Sequence, residues 1–277
     1  MAERKISIIT TCKGRLDHLK QTLPSMVQQE ACEVVVVDYD CPNGTASWVN
    51  SHYPGVSVVK IENAPRFNAA RAHNFGAAAA TGDWLFFVDA DVQLNAQFVA
   101  SIRQQIAEGA YYRPAPISSG LWGSVVVSRA DFGLIGGYDE TIDSYGGEDD
   151  DFFLRLSMLG LRQTAFPAAL LSGIPHDNNL RVQFRPITDV ATSQRANIFY
   201  VSAKADASRL LGRQLNADEK RALFEEVWRA VKAAGDTGTA NVDIDLPLAT
   251  GLPIQRGWRL SRRLSCRLSP DSDVLKS

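Results

Sequence analysis

The sequence predicts an α/β fold, a mostly parallel sheet with helices on both faces, followed by a mainly helical C-terminal extension. Three observations carry that expectation. Strand-like and helix-like stretches alternate from residue 6 to residue 171, the order that builds a doubly wound sheet. Two strand-like stretches, Glu33 to Val37 and Trp84 to Val92, are apolar enough to be buried on both faces, as strands inside a parallel sheet are. From about residue 180 the pattern changes to long runs with helical spacing, which divides the chain into residues 1–180 and an extension, 181–277.

Taken in order, Ile6 to Thr11 forms a first strand, and Cys12 to Arg15 a polar turn centred on Gly14. Asp17 to Gln29 reads as a helix, because Leu16, Leu19, Leu23, Met26 and Val27 recur at three- and four-residue steps. The valine-rich second strand ends in Asp38-Tyr39-Asp40, before the turn Cys41-Pro42-Asn43-Gly44. Ala46 to Ser51 suits a short helix and Val56 to Ile61 a third strand. Arg66 to Ala80 is alanine-rich and helix-favouring, with Asn68, Arg71 and Asn74 on one face. That face suits either a nucleotide diphosphate or plain solvent. The fourth strand, Trp84 to Val92, carries Asp89-Ala90-Asp91 at its end. Side chains alternate along an extended chain, so the two acids point one way and can reach a single hard cation; the plain alternative is a strand that stops in a solvated turn. Open parallel sheets bind their ligands at this edge.

Asn95 to Gly109 reads as a structural helix, residues 110 to 123 as loop, Ser124 to Ser128 as a strand and Asp131 to Gly137 as a turn of helix. Then come seven acids in thirteen residues, from Asp139 to Asp151, four of which open a helix over Glu148 to Leu159. Acids in a first helical turn are each favoured by a few tenths to about 1 kcal/mol, so capping accounts for some of them. Asp149, however, shares the inward face of Phe152, Phe153 and Leu156, and Gly146-Gly147 lets another molecule approach the backbone beside it. A carboxylate at the rim of the core suits a general base whose basicity is raised by partial desolvation. Thr164 to Leu171 reads as a last strand, followed by His176, which is either a surface histidine or an imidazole completing a metal site shared with substrate oxygens.

Composition narrows the classes. A net charge of −2 gives no global argument for nucleic acid as a partner. The four cysteines include no C-x-x-C pair and no zinc-like spacing, which suits a reducing compartment. The N-terminus runs into a strand without an apolar leader, and no stretch approaches the roughly 18 apolar residues of a membrane span, so a cytoplasmic location is expected. In the extension, 188–212 and 216–234 read as helices and 235–245 as a Gly/Thr/Asp stretch. A helix started by Pro253 gathers Ile254, Trp258, Leu260, Leu264 and Leu268 on one arc and five arginines on the other. It either docks on the rest of the chain or lies peripherally on the inner face of an anionic membrane through residues 253–268.

The D-x-D, followed about sixty residues later by Gly146-Gly147-Glu148-Asp149-Asp150-Asp151, resembles the inverting glycosyltransferases of the GT-A fold, family 2 and the related galactosyltransferase-type enzymes. The resemblance covers roughly residues 5 to 178. The block from Gly120-Leu121-Trp122-Gly123 through Gly136-Gly137-Tyr138-Asp139 to Asp151 is similar to the carboxyl-terminal motif shared by β1,4-galactosyltransferases and bacterial chondroitin- and heparosan-type polymerases. The resemblance implies a nucleotide-sugar donor, UDP-linked, and Mn2+ or Mg2+ as cofactor. It implies that Thr11, Cys12, Arg15, Asp38 and Asp40 hold the uracil and ribose, and that Phe67, Asn68, Arg71 and Asn74 line the donor site. Asp89, with Ala90, would touch ribose or donor sugar, and Asp91 and His176 would bind the metal. Asp149 would be the catalytic base, Glu148 would contact the donor sugar, and Tyr145, Gly147 and Asp150 would meet a saccharide or lipid-linked saccharide acceptor. Tyr145 stands where galactosyltransferases often carry tryptophan, which leaves an aromatic platform and opens the question of the acceptor.

Two other readings compete. A haloacid-dehalogenase-like phosphatase needs its D-x-D near the N-terminus with Thr or Val two residues on, whereas Gln93 occupies that place here. A non-catalytic nucleotide-sugar-binding subunit of a polysaccharide-assembly complex would show a lost base, and Asp149 is present.

Overall fold

The computed structural model describes residues 4–175, 177–246 and 262–271. The elements run β1 (Ile6–Cys12), α1 (Leu16–Val27), β2 (Cys32–Tyr39), α2 (Thr45–His52), β3 (Ser57–Ile61), α3 (Ala69–Ala79) and β4 (Trp84–Phe87). They continue with β5 (Val92–Leu94), α4 (Phe98–Gln105), β6 (Ala110–Ala115), β7 (Val125–Ser128), α5 (Arg129–Leu134), α6 (Glu148–Met158), β8 (Arg162–Pro167) and β9 (Leu171–Gly173). The C-terminal part comprises α7 (Asn178–Val182), α8 (Val190–Leu211), α9 (Ala217–Ala234), β10 (Ala240–Leu246) and β11 (Arg262–Leu268).

Among the described residues one seven-stranded sheet has the order β3-β2-β1-β4-β7-β6-β8. β3, β2, β1 and β4 are parallel neighbours, β7 is antiparallel to β4 and β6, and β6 is parallel to β8. The period of two along the strands divides the core. Ile6, Ile8, Val34, Val36 and Phe86 pack with Leu19, Leu23 and Met26 of α1 and Phe98 and Ile102 of α4. Ile9, Val35, Leu85 and Phe87 pack with Ala70 and Ala77 of α3 and Phe152, Phe153 and Leu156 of α6. Helices therefore cover both faces, as expected of this α/β pattern.

Three sequence expectations are corrected. The apolar run from Trp84 does not stay extended to Val92: β4 ends at Phe87, Val92 N–H donates to the Asp89 carbonyl at 3.1 Å, and the D-A-D sits in the resulting turn. Residues 110 to 123, read as loop for their prolines and glycines, contain β6, whose Tyr111 and Tyr112 are buried between β7 and β8. The basic C-terminal helix is replaced over 262–268 by β11, and residues 253–261 lie outside the described residues. Leu264 and Leu268 are four apart, a spacing that fits a strand face as well as a helix face. In the hairpin, Leu264, Cys266 and Leu268 join a third core with α8, α9 and β10. Two of the five arginines meet β10: Arg263 Nε donates to Asp245 Oδ1 at 3.0 Å and Arg267 Nε to Asn241 Oδ1 at 3.1 Å. Among the described residues no helix is long and apolar enough to cross a membrane.

Candidate active site

At the carboxyl ends of β1 and β4 a cavity of about 430 Å³ opens between the sheet, the N-terminus of α6 and the segment around α7. Of the residues singled out in the sequence, Thr11, Arg15, Phe67, Asp89, Ala90, Asp91, Tyr145, Gly147, Glu148, Asp149 and Asp150 line it. Cys12, Asp38, Asp40, Asn68, Arg71 and Asn74 are not among the lining residues. His176 lies outside the described residues. The chain just before it is anchored to the D-A-D turn and to the strand that follows that turn, since Ile174 N–H donates to the Asp91 carbonyl at 2.7 Å and β9 pairs with β5.

The residues away from the lining have structural partners. Cys12 is fully buried at the end of β1. Asp38 accepts from Cys41 N–H and from Ala46 N–H, both at 2.7 Å, so it closes the turn and starts α2. Asp40, in the left-handed region at φ 49°, accepts from Ala64 N–H at 3.1 Å. Asn68 caps α3 through Arg71 N–H and donates to the Glu140 carbonyl. Asn74 donates to the Tyr138 carbonyl at 3.0 Å and accepts from Tyr138 N–H at 2.8 Å, tying α3 to the chain before α6. Arg71 stacks over Phe75 at 5.5 Å.

The D-A-D turn contributes one exposed and one buried acid, Asp89 and Asp91. Arg15 Nη1 lies 2.9 Å from Asp91 Oδ2, bringing the first loop onto this turn. Beside it, Lys13 donates to the carbonyls of Tyr39, Asp40 and Ala64 at 3.1, 2.8 and 2.8 Å, which saturates its ammonium and joins the ends of three successive strands.

The four acids opening α6 have separate fates. Asp151 turns into the core, paired with Arg155 at 2.7 Å and with Lys204 of α8. Glu148 faces the cavity, with Oε1 3.5 Å from Arg185 Nη2. The Asp150 carboxyl is raised by burial, an effect that the Arg113 charge and then the Trp122 side chain oppose. Asp149 is half-buried, and its Oδ1 is shut off from solvent without a hydrogen-bond partner. A β-carbon at Gly123 would stand 3.1 Å from its Oδ2, so glycine there permits the close approach. Its carboxyl is held well above the usual range, first by desolvation and then by the charges of Glu148, Asp89 and Asp150, with Arg113 acting in the other direction.

Several lining residues escaped the sequence reading. Lys13, His73, Trp122, Arg181, Phe184 and Arg185 line the cavity. His73 is neutral, its pKa lowered to about 3 by burial and then by Arg185. Arg181, Phe184 and Arg185 lie beyond residue 180, so the cavity draws on both sides of the expected boundary. Phe184 explains Gly14: a β-carbon there would come within 2.2 Å of its ring, and Gly14 has φ 70°. The turn before α6 is fixed from α8 by buried Asn197, which donates to the carbonyls of Tyr145 at 3.2 Å and Gly146 at 2.5 Å.

The donor set suits a hard cation only in part. Among the described residues no group of three His, Cys, Asp or Glu side chains is placed to hold one. On the D-A-D turn the carboxylates of Asp89 and Asp91 offer oxygen donors to the cavity, a pair that fits a cation keeping its waters and completing its shell from substrate phosphates.

Comparisons with known proteins bear on the fold and the class of reaction. Residues 7–118 match the family model described as Glycosyl transferase family 2, and residues 105–179 match the one described as the N-terminal domain of galactosyltransferase. No curated protein matches the chain. Among solved structures, the chain is similar to the mannosyltransferase PcManGT from Pyrobaculum calidifontis in complex with GDP-Man and Mn2+. That match has 17% identity and a TM-score of 0.54, over 83% of this chain and 76% of that one. It is also similar to S. aureus TarS 1-349 in complex with UDP-GlcNAc, at 15% identity and a TM-score of 0.59, over 80% of this chain and 72% of that one. The chain thus has a GT-A-like α/β fold, and the matched family models support glycosyl transfer as its class of reaction.

Proposed function

We propose that this protein is an inverting, metal-assisted glycosyltransferase that moves a sugar from a UDP-linked donor to a hydroxyl of a saccharide or lipid-linked saccharide acceptor. The observation that carries the reading is Asp149: a half-buried carboxylate with one inaccessible, partnerless oxygen, raised in pKa, facing a cavity lined by the D-A-D turn. A base works best when its pKa lies near the working pH, and burial beside three other acids moves Asp149 in that direction. In the proposed step the acceptor oxygen bonds to the anomeric carbon while the bond to the diphosphate breaks on the opposite face. The acceptor proton passes to Asp149. A single displacement inverts the centre and needs no covalent nucleophile.

Asp91, with Asp89 beside it, would hold Mn2+ or Mg2+, which supplies charge neutralisation of the departing diphosphate. Arg15, already at Asp91, adds a fixed positive charge in the same place. Tyr145 and Trp122 offer aromatic surface to a sugar ring, and Asp150, lining the same cavity, an acceptor for its hydroxyls. Two similar structures hold GDP-Man with Mn2+ and UDP-GlcNAc, which supports a nucleotide-sugar donor here.

The test is Asp149→Asn, assayed with a panel of UDP-sugars and Mn2+. Transfer is expected to fall about a hundredfold or more, the scale of a lost general base, with UDP binding retained. Near-normal turnover would remove Asp149 from the mechanism, and the absence of any UDP-sugar turnover or binding in the unmodified protein would remove the donor assignment.

A further inference from the structure

Two cysteines from different loops meet beside the first loop of the cavity. Cys12 ends β1 and is fully buried, while Cys41 follows β2 and is partly exposed. β1 and β2 are parallel neighbours with Cys12 opposite Asp38, and the turn that Asp38 closes through Cys41 N–H brings Cys41 back over the end of β1. There each sulfur is held by the other's loop, and the Cys41 thiol donates to Asn43 Oδ1 at 3.8 Å. Gly14 N–H donates to Cys41 Sγ at 3.2 Å, and the Thr45 hydroxyl donates to Cys12 Sγ at 3.2 Å. The Cys41 thiol is lowered to about 5, chiefly by the neighbouring Cys12 thiol, against the opposing effect of its burial. The same proximity, together with burial, pushes Cys12 up. An accessible acidic thiol against a buried, less acidic one is the arrangement of an attacking and a resolving cysteine.

We propose that Cys12 and Cys41 form a peroxide-sensitive dithiol that closes to an intrachain disulfide. The Cys41 thiolate attacks a hydroperoxide: its sulfur–oxygen bond forms, the peroxide bond breaks, and the departing hydroxide or alkoxide takes up a proton, leaving a sulfenic acid. Cys12 then attacks the Cys41 sulfur. The sulfur–sulfur bond forms, the sulfur–oxygen bond breaks, and water leaves with the Cys12 proton. The two thiols together lose two electrons and the peroxide gains them. The link brackets the loop that carries Lys13 and Arg15, and the inference stands apart from the reaction assigned to the cavity. Cys32, whose thiol burial raises to about 11, and Cys266 in the C-terminal hairpin are internal controls.

The full chain, treated with graded hydrogen peroxide, alkylated in denaturant and mapped by peptide mass spectrometry, tests the site. The linked Cys12–Cys41 peptide is expected to appear first and to be reversed by dithiothreitol, with Cys32 and Cys266 still alkylated. In the native protein at pH 6, iodoacetamide should label Cys41 about tenfold or more faster than Cys32. Cys41→Ser should abolish the linked species; the map of the unmodified chain decides the question even where that variant fails to fold. Oxidation of Cys41 to sulfinic acid with no link to Cys12, or oxidation of Cys32 or Cys266 ahead of Cys41, would overturn the proposal.

Discussion

Two parallel strands on either side of β1 lead into D-x-D, and the fold treats the two acid pairs differently. After β2, Asp38 and Asp40 accept hydrogen bonds from main-chain amides at Cys41, Ala46 and Ala64, so their carboxylates shape the loops. After β4, Asp89 and Asp91 line the cavity, and Asp91 is paired with a side chain, Arg15. The first helical turn of α6 repeats the contrast within four residues: Asp151 is bound into the core by Lys204 and Arg155, while Asp149 faces the cavity with a partnerless oxygen. An acid pair in a sequence is therefore not yet a site. What decides is whether nearby amides and cations already satisfy it, because a carboxylate that organises its own loop has little left for a ligand.

The largest effect should come from breaking the structural side of the α6 contrast. Lys204 meets Asp139 and Asp151, all nearly inaccessible to solvent. Lys204→Met leaves two buried carboxylates without their shared cation, and removing one partner of a buried pair costs about 3–5 kcal/mol. Chemical denaturation is the measurement; a loss below about 1 kcal/mol would mean that Arg155 and Lys220 suffice for both acids.

Next comes the functional side of the D-x-D contrast. Asp91→Asn should reduce Mn2+-dependent kcat/KM by about a hundredfold, equivalent to about 2.7 kcal/mol, with little change in unfolding. Isothermal titration of UDP with and without Mn2+ separates the two contributions. An unchanged manganese dependence would move the cation elsewhere. The matching change after β2, Asp38→Ala, should do the reverse. It strands two amides and is expected to cost about 1–3 kcal/mol of stability while donor KM shifts only a few-fold. A large rise in donor KM at unaltered stability would restore Asp38 to the uracil-binding role that the family resemblance implies.

How much of this was readable without coordinates follows from the range of each signal. β1 to β4 and their helices announce themselves through local runs, such as the valines of β2 and the Leu16–Met26 spacing, because burial on a sheet imposes its period on neighbouring residues. The placement of Asp149 was equally local, since Phe152, Phe153 and Leu156 fix which way the helix turns. The separate fates of Glu148, Asp150 and Asp151 were not, because they depend on Arg185, Trp122 and Lys204, distant in sequence. For the same reason Arg181, Phe184 and Arg185 were assigned to an extension although they line the cavity. In β11 the failure was one of period: leucines four apart satisfy both a strand and a helix, and only the pairing of Arg263 and Arg267 with β10 distinguishes them.

The smallest expected effect concerns stability at the base itself. The folded protein holds the Asp149 carboxyl above its ordinary value, so over the interval between the unfolded and folded pKa the native state binds more protons than the unfolded one. Stability from this group is therefore greatest below the ordinary carboxylate value of 3.8 and is lost as pH rises through the elevated folded value. Above the ordinary carboxylate value the raised group opposes folding, and Asp149→Asn removes that opposition while keeping the shape. The variant should melt higher than the unmodified protein at pH 7–8, by a few degrees, since 1 kcal/mol moves a chain of this size by about 2–4 °C. The gain should shrink as pH is lowered and vanish near or below the ordinary carboxylate range, where both side chains are neutral. Melting curves of the two proteins without Mn2+ or donor, taken from pH 4 to pH 8, measure it. A gain that does not depend on pH would assign the effect to altered packing against Gly123 instead of the buried charge, and a loss at neutral pH would mean that Arg113 already compensates the carboxylate.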